Sequence, residues 1–343
     1  MSQALSSIPQ LTRAGLTSPE QSEELERVAE EFRVLISPAM QNALQTADDG
    51  VGRQFVPTVD ELIIHEGDLA DPIGDHAHEP VPGLTHRYPD RAILHLTQTC
   101  AVYCRFCFRR ESVGDSGTLP MEAIERICDY LRKTPAIREI ILTGGDPLVL
   151  SPRRLGLVLE KLRAVGTLDL LRIHSRVPVV APERITPDLL EVLKGEIPVW
   201  IVVHTNHAQE LTPEARAALA RLADAGFPLL SQSVLLRGVN DTPEALEDLF
   251  RALLRLRVKP YYLHHCDLAR GAGHFRTTLE EGMALMAALR GRISGTALPS
   301  YILDIPGGFG KVPINPQYFT KTPDGWSVTD PRGGKHHYSD PLR

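Results

Sequence analysis

Ile93-Leu94-His95-Leu96-Thr97-Gln98-Thr99-Cys100-Ala101-Val102-Tyr103-Cys104-Arg105-Phe106-Cys107-Phe108-Arg109-Arg110 joins a short apolar run to three cysteines spaced C-x3-C-x2-C. The run is the first of a series. Apolar runs at 93–96, 139–142, 170–173, 199–203, 229–236 and 261–265 alternate with longer helical patterns. Ser151-Pro152, Thr186-Pro187, Thr212-Pro213 and Thr242-Pro243 each set a capping hydroxyl before a proline at the first helical position. Gly195 and Gly226 stand where the second and third of those helices should stop. Strand–helix alternation at this spacing requires a parallel sheet with right-handed crossovers. Six such units predict an α/β fold, a partial (β/α)6 barrel short of the closed eightfold form. An open doubly wound sheet is the alternative, because closure is not written in the sequence.

In a parallel barrel, chemistry collects at the C-terminal ends of the strands. Polar residues fall there: Thr97 and the cysteines after the first run, Gly144-Gly145-Asp146 after the second, His174-Ser175-Arg176 after the third. His204-Thr205-Asn206-His207 follows the fourth, Gln232 lies in the fifth, and Cys266-Asp267 follows the sixth. A set at every strand end is what a lined pocket requires. Cys100, Cys104 and Cys107, with no fourth Cys or His at matching distance, suit a [4Fe–4S] cubane with one iron left open. Zinc prefers a closed tetrahedral set, which the neighbouring residues do not supply. An open iron can chelate a small molecule. The spacing, with Phe106 just before the last cysteine, resembles the radical S-adenosylmethionine superfamily, in which that molecule is the methionine end of the cofactor. By this resemblance the barrel is the TIM-like radical SAM barrel.

The 343 residues, 43% of them hydrophobic, can bury a large core. A net charge of −6 and a pI near 6.1 disfavour a nucleic-acid or anionic-membrane surface, so neither partner is expected. No apolar run reaches the length of a membrane span, and the start Met1-Ser2-Gln3-Ala4-Leu5-Ser6-Ser7 has no signal-peptide pattern. Five cysteines, three of them in the motif, argue for a reducing compartment and a cytoplasmic protein. Residues 1–90 form an N-terminal appendage. In it a helix is expected to open at Ser18-Pro19-Glu20 and run through Val28, Phe32 and Leu35, before a polar stretch rich in proline and glycine. Residues 91–295 hold the barrel, and 296–343 a C-terminal segment.

That last segment contains Leu303-Asp304-Ile305-Pro306-Gly307-Gly308-Phe309-Gly310-Lys311-Val312-Pro313. It is not a phosphate loop of the Walker type, lacking the glycine spacing and the hydroxyl after lysine. Beside a radical site, a Schiff-base lysine holding pyridoxal phosphate is the better reading of Lys311. Here the resemblance becomes specific. From about residue 84 to 316 the chain is similar to the lysine 2,3-aminomutase family. It matches in Thr85-His86-Arg87-Tyr88-Pro89-Asp90-Arg91, the cysteine motif with Phe108-Arg109-Arg110, Leu142-Thr143-Gly144-Gly145-Asp146-Pro147 and His204-Thr205-Asn206-His207. Gln232 to Asp241, Pro260-Tyr261-Tyr262, Cys266-Asp267-Leu268, His274-Phe275-Arg276-Thr277 and Asp304 to Lys311 complete it.

The resemblance implies roles residue by residue. Cys100, Cys104 and Cys107 hold the cluster, and Lys311 forms the internal aldimine with pyridoxal phosphate. Arg87, Tyr88 and Arg91 surround its phosphate, where guanidinium groups suit a dianion. Gly144, Gly145 and Asp146 receive the methionine amino group of S-adenosylmethionine, with His204 and Gln232 as further contacts to it. Arg109 takes the substrate carboxylate, and Asp267 and Asp304 hold a distal ammonium. Two carboxylates in one closed pocket repel unless a cation lies between them, so an amine-bearing side chain is selected over an acidic one. The reaction implied is L-lysine to β-lysine: a one-electron reductant opens S-adenosylmethionine, and the resulting radical takes hydrogen from the β-carbon. The amino group then migrates, and the hydrogen returns.

Longer relatives join subunits through a C-terminal zinc cluster. Here no Cys follows Cys266, so no structural zinc is expected, and a homo-oligomer is left open. The short length also resembles the branch supplying (R)-β-lysine to elongation factor P, which stays an alternative, as does another cationic amino acid. Arg105 and Arg110 are expected to tune the cluster or serve structure; His174, His264 and His265 are expected to pack or hydrogen-bond at strand ends. Rivals from other classes are a non-catalytic iron–sulfur protein and a pyridoxal-free radical enzyme. Neither explains Lys311 with its glycines or the arginines before the first strand.

Overall fold

The computed structural model describes residues 3–114 and 117–341. One curved sheet of nine strands organises it: β1 (Leu84–Tyr88), β2 (Arg91–Thr97), β3 (Glu139–Gly144), β4 (Leu170–Ser175), β5 (Val199–His204), β6 (Leu229–Leu235), β7 (Lys259–His265), β8 (Ser300–Ile305) and β9 (Gly310–Pro313). Neighbours in space follow neighbours in sequence throughout. β2 to β8 run parallel, while β1 and β9 are antiparallel caps on the two edges. The edges meet across a seam bridged by side chains, where the Tyr88 hydroxyl accepts the Lys311 backbone N–H at 2.8 Å. This is the partial TIM-like barrel expected, not an open doubly wound sheet.

Six strands are each followed by a covering helix: Met121–Lys133, Pro152–Arg163, Pro187–Leu193, Pro213–Asp224, Pro243–Arg255 and Leu279–Leu289. The first shows why they form. Ile124, Ile127, Cys128 and Leu131 repeat at helical spacing and are all buried against the sheet, with charged residues between them facing out. The hydroxyls of Ser151, Thr186, Thr212 and Thr242 each accept the backbone N–H three residues on, satisfying a donor the helix leaves orphaned. Gly226 ends its helix in the left-handed region, at φ +88°. Gly195 differs: its helix stops at Leu193 with Lys194 extended, and a Cβ at 195 would meet the Arg163 guanidinium at 2.4 Å. A seventh parallel strand, β8, extends the six expected units.

The N-terminal residues wrap the barrel. The helix Ser22–Glu31 ends earlier than the sequence suggests, because Phe32 leaves it in an extended conformation. There the Phe32 ring lies under the Arg110 guanidinium, 3.6 Å from its centroid. The Ser37 hydroxyl donates to the Val180 carbonyl at 2.6 Å, and Leu69 N–H donates to Leu268 O at 2.7 Å. Past β9, β10 (Phe319–Thr322), β11 (Gly325–Thr329) and β12 (Lys335–Tyr338) form a small separate sheet. In it His336 and His337 pair with Asp330 and Ser339.

Candidate active site

A cavity of about 530 Å³ opens inside the barrel, running from the strand ends down to the first residues of β2, β3 and β4. Cys100, Cys104, Cys107, Arg87, Tyr88, Arg91, Arg109, Gly144, Gly145, Asp146, His204, Gln232, Asp267, Asp304 and Lys311 all line it. Residues up to 224 positions apart in sequence thus share one space, as a strand-end site in a barrel requires.

The cysteine loop leaves β2 and is held from below. Arg105, 1% exposed, donates from Nε and Nη2 to the carboxylate of Glu61, itself 0% exposed, at 2.6 to 3.1 Å. Arg110 bonds the same carboxylate. Burial pushes the Glu61 carboxyl up, but the two guanidinium charges more than reverse this and hold it below its usual range. So Arg105 and Arg110, which stand beside the cysteines in sequence, are clamped to the appendage. Burial is the main force pushing all three thiols up; repulsion from neighbouring sulfurs adds to it at Cys100 and Cys107, taking Cys107 to about 11, while Arg176 opposes it at Cys104. Thiols so placed become ligands only where a strong cation offsets their charge, which suits an iron cluster.

Against this loop β3 ends without side chains. A Cβ on Gly144 would stand 2.4 Å from Thr97 O, and one on Gly145 2.3 Å from Thr99 O. Gly145 N–H instead donates to Thr97 O at 2.5 Å, and Asp146 N–H to Thr99 O at 2.9 Å. Gly145→Ala must therefore displace the cysteine loop; we expect a loss of about 1–3 kcal/mol or more in urea unfolding, with reduced iron uptake. The Asp146 carboxylate is turned inward, accepting from the Ser175 hydroxyl (2.7 Å) and from the N–H groups of Arg176 (2.7 Å), Val177 (3.1 Å) and Leu148 (3.0 Å). Its side chain fastens the end of β4 to that of β3. His204 and Gln232 are register partners on β5 and β6.

Across the cavity, Lys311 Nζ forms an ion pair with Asp304. His264 Nδ1 lies 3.5 Å from the same carboxylate and Arg87 Nη1 3.9 Å. Burial pushes Asp304 up; the bond from His264 and the charge of Lys311 overcome that and bring it down to about 2. Asp267 moves the other way, to about 7, pushed by burial and then by the negative charge of Asp304. The two carboxylates share one cavity and the charge of Asp304 is felt at Asp267. Arg109 Nε donates to Asp75 at 2.8 Å, and Arg87 lies 3.4 Å from the same residue. Arg91 stacks on the Tyr88 ring at 3.8 Å.

The residues fit the cofactors expected. Arg87 Nε and the Nε2 atoms of His174, His204 and His264 are buried without a hydrogen-bond partner, and all four side chains line the cavity. Orphaned polar atoms on that scale mark a cavity shaped for a polar ligand. As the side chains stand, no group of three or more His, Cys, Asp or Glu among the described residues could hold a metal ion. A cluster brings its own inorganic sulfur and needs only the thiolates. Among the described residues no helix is long and apolar enough to cross a membrane.

His264 hydrogen-bonds at its strand end, as expected, with Asp304 as its partner. Two participants escape a sequence reading. Asp75 pairs with Arg87 and Arg109, both on the cavity wall, and Arg176 reaches the cysteine loop. Arg176 carried the signal of standing at a strand end; Asp75 lies in the polar stretch and carried none.

The family model described as Radical SAM superfamily matches residues 94–253, and the one described as Lysine-2,3-aminomutase matches 286–328. The chain is 43% identical over 317 residues to an L-lysine 2,3-aminomutase of Fusobacterium nucleatum, covering 92% of this chain and 75% of that one. It is 42% identical to the L-lysine 2,3-aminomutase of Clostridium subterminale, over 94% and 79% of the two chains. A glutamate 2,3-aminomutase of Clostridioides difficile is 37% identical, over 93% and 76%.

Proposed function

Since the chain belongs to the lysine 2,3-aminomutase family of radical S-adenosylmethionine enzymes, and so is an isomerase, we propose that it converts L-lysine to β-lysine. The family's cofactors are a [4Fe–4S] cluster, S-adenosylmethionine and pyridoxal 5′-phosphate; together they supply a hydrogen-abstracting radical and a nitrogen able to migrate between adjacent carbons. Cys100, Cys104 and Cys107 would hold the cluster, and the segment Gly144-Gly145-Asp146 with His204 and Gln232 would hold S-adenosylmethionine. Lys311 anchors pyridoxal phosphate, and Arg87, Tyr88 and Arg91 take its phosphate. Arg109 exchanges Asp75 for the substrate carboxylate. Asp267 and Asp304 receive the distal ammonium, and the cavity walls keep water and stray hydrogen donors away.

The observation that carries the choice of lysine is the acid pair. Asp267 and Asp304 share the cavity with Lys311, and the charge of Asp304 adds to burial in raising Asp267. An ε-ammonium between them is attracted by both, whereas the side chain of glutamate adds a third negative charge. Anaerobic assay of reconstituted protein with L-lysine, L-glutamate or L-arginine, a one-electron reductant and the cofactors tests this. β-Lysine from lysine alone is expected; β-glutamate, or no product from fully loaded protein, defeats it. Chiral chromatography of the product distinguishes this reading from supply of (R)-β-lysine to elongation factor P.

A pH dependence follows. In the free cavity Asp267 is protonated below about 7 and ionised above. Only the ionised form completes the ammonium site, so binding at lower pH must expel a proton. KM for lysine is therefore expected to fall as pH rises through about 7 and then to level off. In Asp267→Asn this dependence disappears.

A further inference from the structure

Arg176 follows β4 and is 6% exposed, yet it is a full cation. Nη2 donates to Glu210 Oε2 at 2.7 Å and to Gln54 Oε1 at 2.5 Å. Glu210 and Gln54 are both 0% exposed. The other Glu210 oxygen accepts from Gln54 Nε2 at 3.0 Å and from the N–H groups of Asn206 and His207 at 2.8 and 2.9 Å. Asn206 Nδ2 donates to Gln54 Oε1 at 2.9 Å. The rings of Phe55 and Phe106 lie 4.6 and 5.4 Å from the guanidinium carbon. Burial pushes the Glu210 carboxyl up, and the charge of Arg176 with the bonds it receives more than reverses this. The pair therefore stays ionised and nearly neutral as a unit.

With one nitrogen committed to Glu210 and Gln54, the fork fixes where the other points. Nη1 is directed at Cys104 Sγ, 2.7 Å away. Such a network is more than is needed to fill space: a buried ion pair contributes little net stability over apolar side chains of the same volume. It does hold one N–H donor rigidly against one sulfur. A lysine at 176 could not do both jobs, because its ammonium is a point charge without the fork.

We propose that Arg176 is a positioning residue for the iron–sulfur cluster, donating a hydrogen bond to the Cys104 thiolate that raises the reduction potential, with Glu210 and Gln54 setting its direction and Glu210 limiting its charge. Hydrogen bonds to ligand sulfurs stabilise the reduced cluster, which carries one more negative charge. The potential therefore rests on three parts of the chain: the appendage through Gln54, the end of β4, and the loop after β5.

This assignment rests on the three cysteines holding the cluster, and the test separates the two. Midpoint potentials are measured by electron paramagnetic resonance during redox titration, at matched iron content. Arg176→Met/Glu210→Gln removes the donor without leaving a buried charge, and its potential is expected to shift negative. Glu210→Gln leaves Arg176 without its counter-charge, and the potential is expected to shift positive. Opposite shifts support the assignment; unchanged potentials, or shifts in one direction, overturn it. Wild-type protein labelled with arginine carrying ¹⁵N only in the guanidinium group gives a measurement independent of how the variants fold, and leaves the Arg109 backbone N–H beside Cys107 silent. A ¹⁵N coupling to the reduced cluster is expected, and its absence overturns the assignment. A wild-type protein that assembles no four-iron cluster, or a triple Cys→Ala variant that does, defeats the cysteine reading instead.

Discussion

Lys311→Ala is expected to abolish turnover, with kcat down by about 10⁴ or more, and to remove covalently held pyridoxal phosphate while leaving the cluster in place. Lys311 is on β9, the strand that closes the seam, and its backbone N–H is fixed by Tyr88. The left-handed glycines 307, 308 and 310 that precede it let the chain turn from β8 into β9. A Cβ on Gly308 would stand 2.8 Å from His78 and one on Gly310 3.2 Å from the Tyr88 hydroxyl. The loop thus aims Nζ inward at Asp304 before any cofactor arrives. Borohydride reduction should add the phosphopyridoxyl mass to the peptide containing Lys311 in wild-type protein and to no peptide in the variant. Electron paramagnetic resonance of the reduced cluster should be the same in both, because the Cys loop belongs to the other wall. Retained mass on a different lysine would reassign the anchor.

Much of this was legible because barrel chemistry is periodic. Polar residues at the ends of hydrophobic runs had to face one space once the runs became parallel strands, and all fifteen candidate residues line the cavity. Helix starts were legible from Ser or Thr before Pro, where one hydroxyl meets one orphan N–H. Three things were not. The run 301–303 is short and merges into the glycine loop, so β8 did not announce itself as another parallel strand. Phe32 continues a helical pattern but leaves the helix for the Arg110 guanidinium, a contact spanning 78 positions. Gln54, Glu61 and Asp75 sit in an aperiodic polar stretch, and only tertiary structure turns them into partners of Arg176, Arg105 and Arg109. Local pattern reports which face is buried; it does not report which charges meet there.

The acid pair gives the second large effect, and its two members should not behave alike. Asp267→Asn removes one carboxylate of the proposed ammonium site. Truncating one partner of a buried charge pair costs about 2–5 kcal/mol, so kcat/KM for lysine should fall by roughly 30- to 5,000-fold. The fall should appear mainly in KM if the site does no more than hold the side chain. Asp304→Asn also removes the counter-charge shared by Lys311, His264 and Arg87. Its kcat should drop as well, and cofactor loading should weaken, which absorbance of the lysine-bound pyridoxal phosphate will report. The double variant relieves the repulsion that an acidic substrate meets but brings no cation to replace it. Glutamate turnover should therefore stay near background, since removing a clash is half of a specificity change and an attractive partner is the other half. If Asp267→Asn leaves KM for lysine unchanged, the distal ammonium lies elsewhere and the pair serves only to orient Lys311.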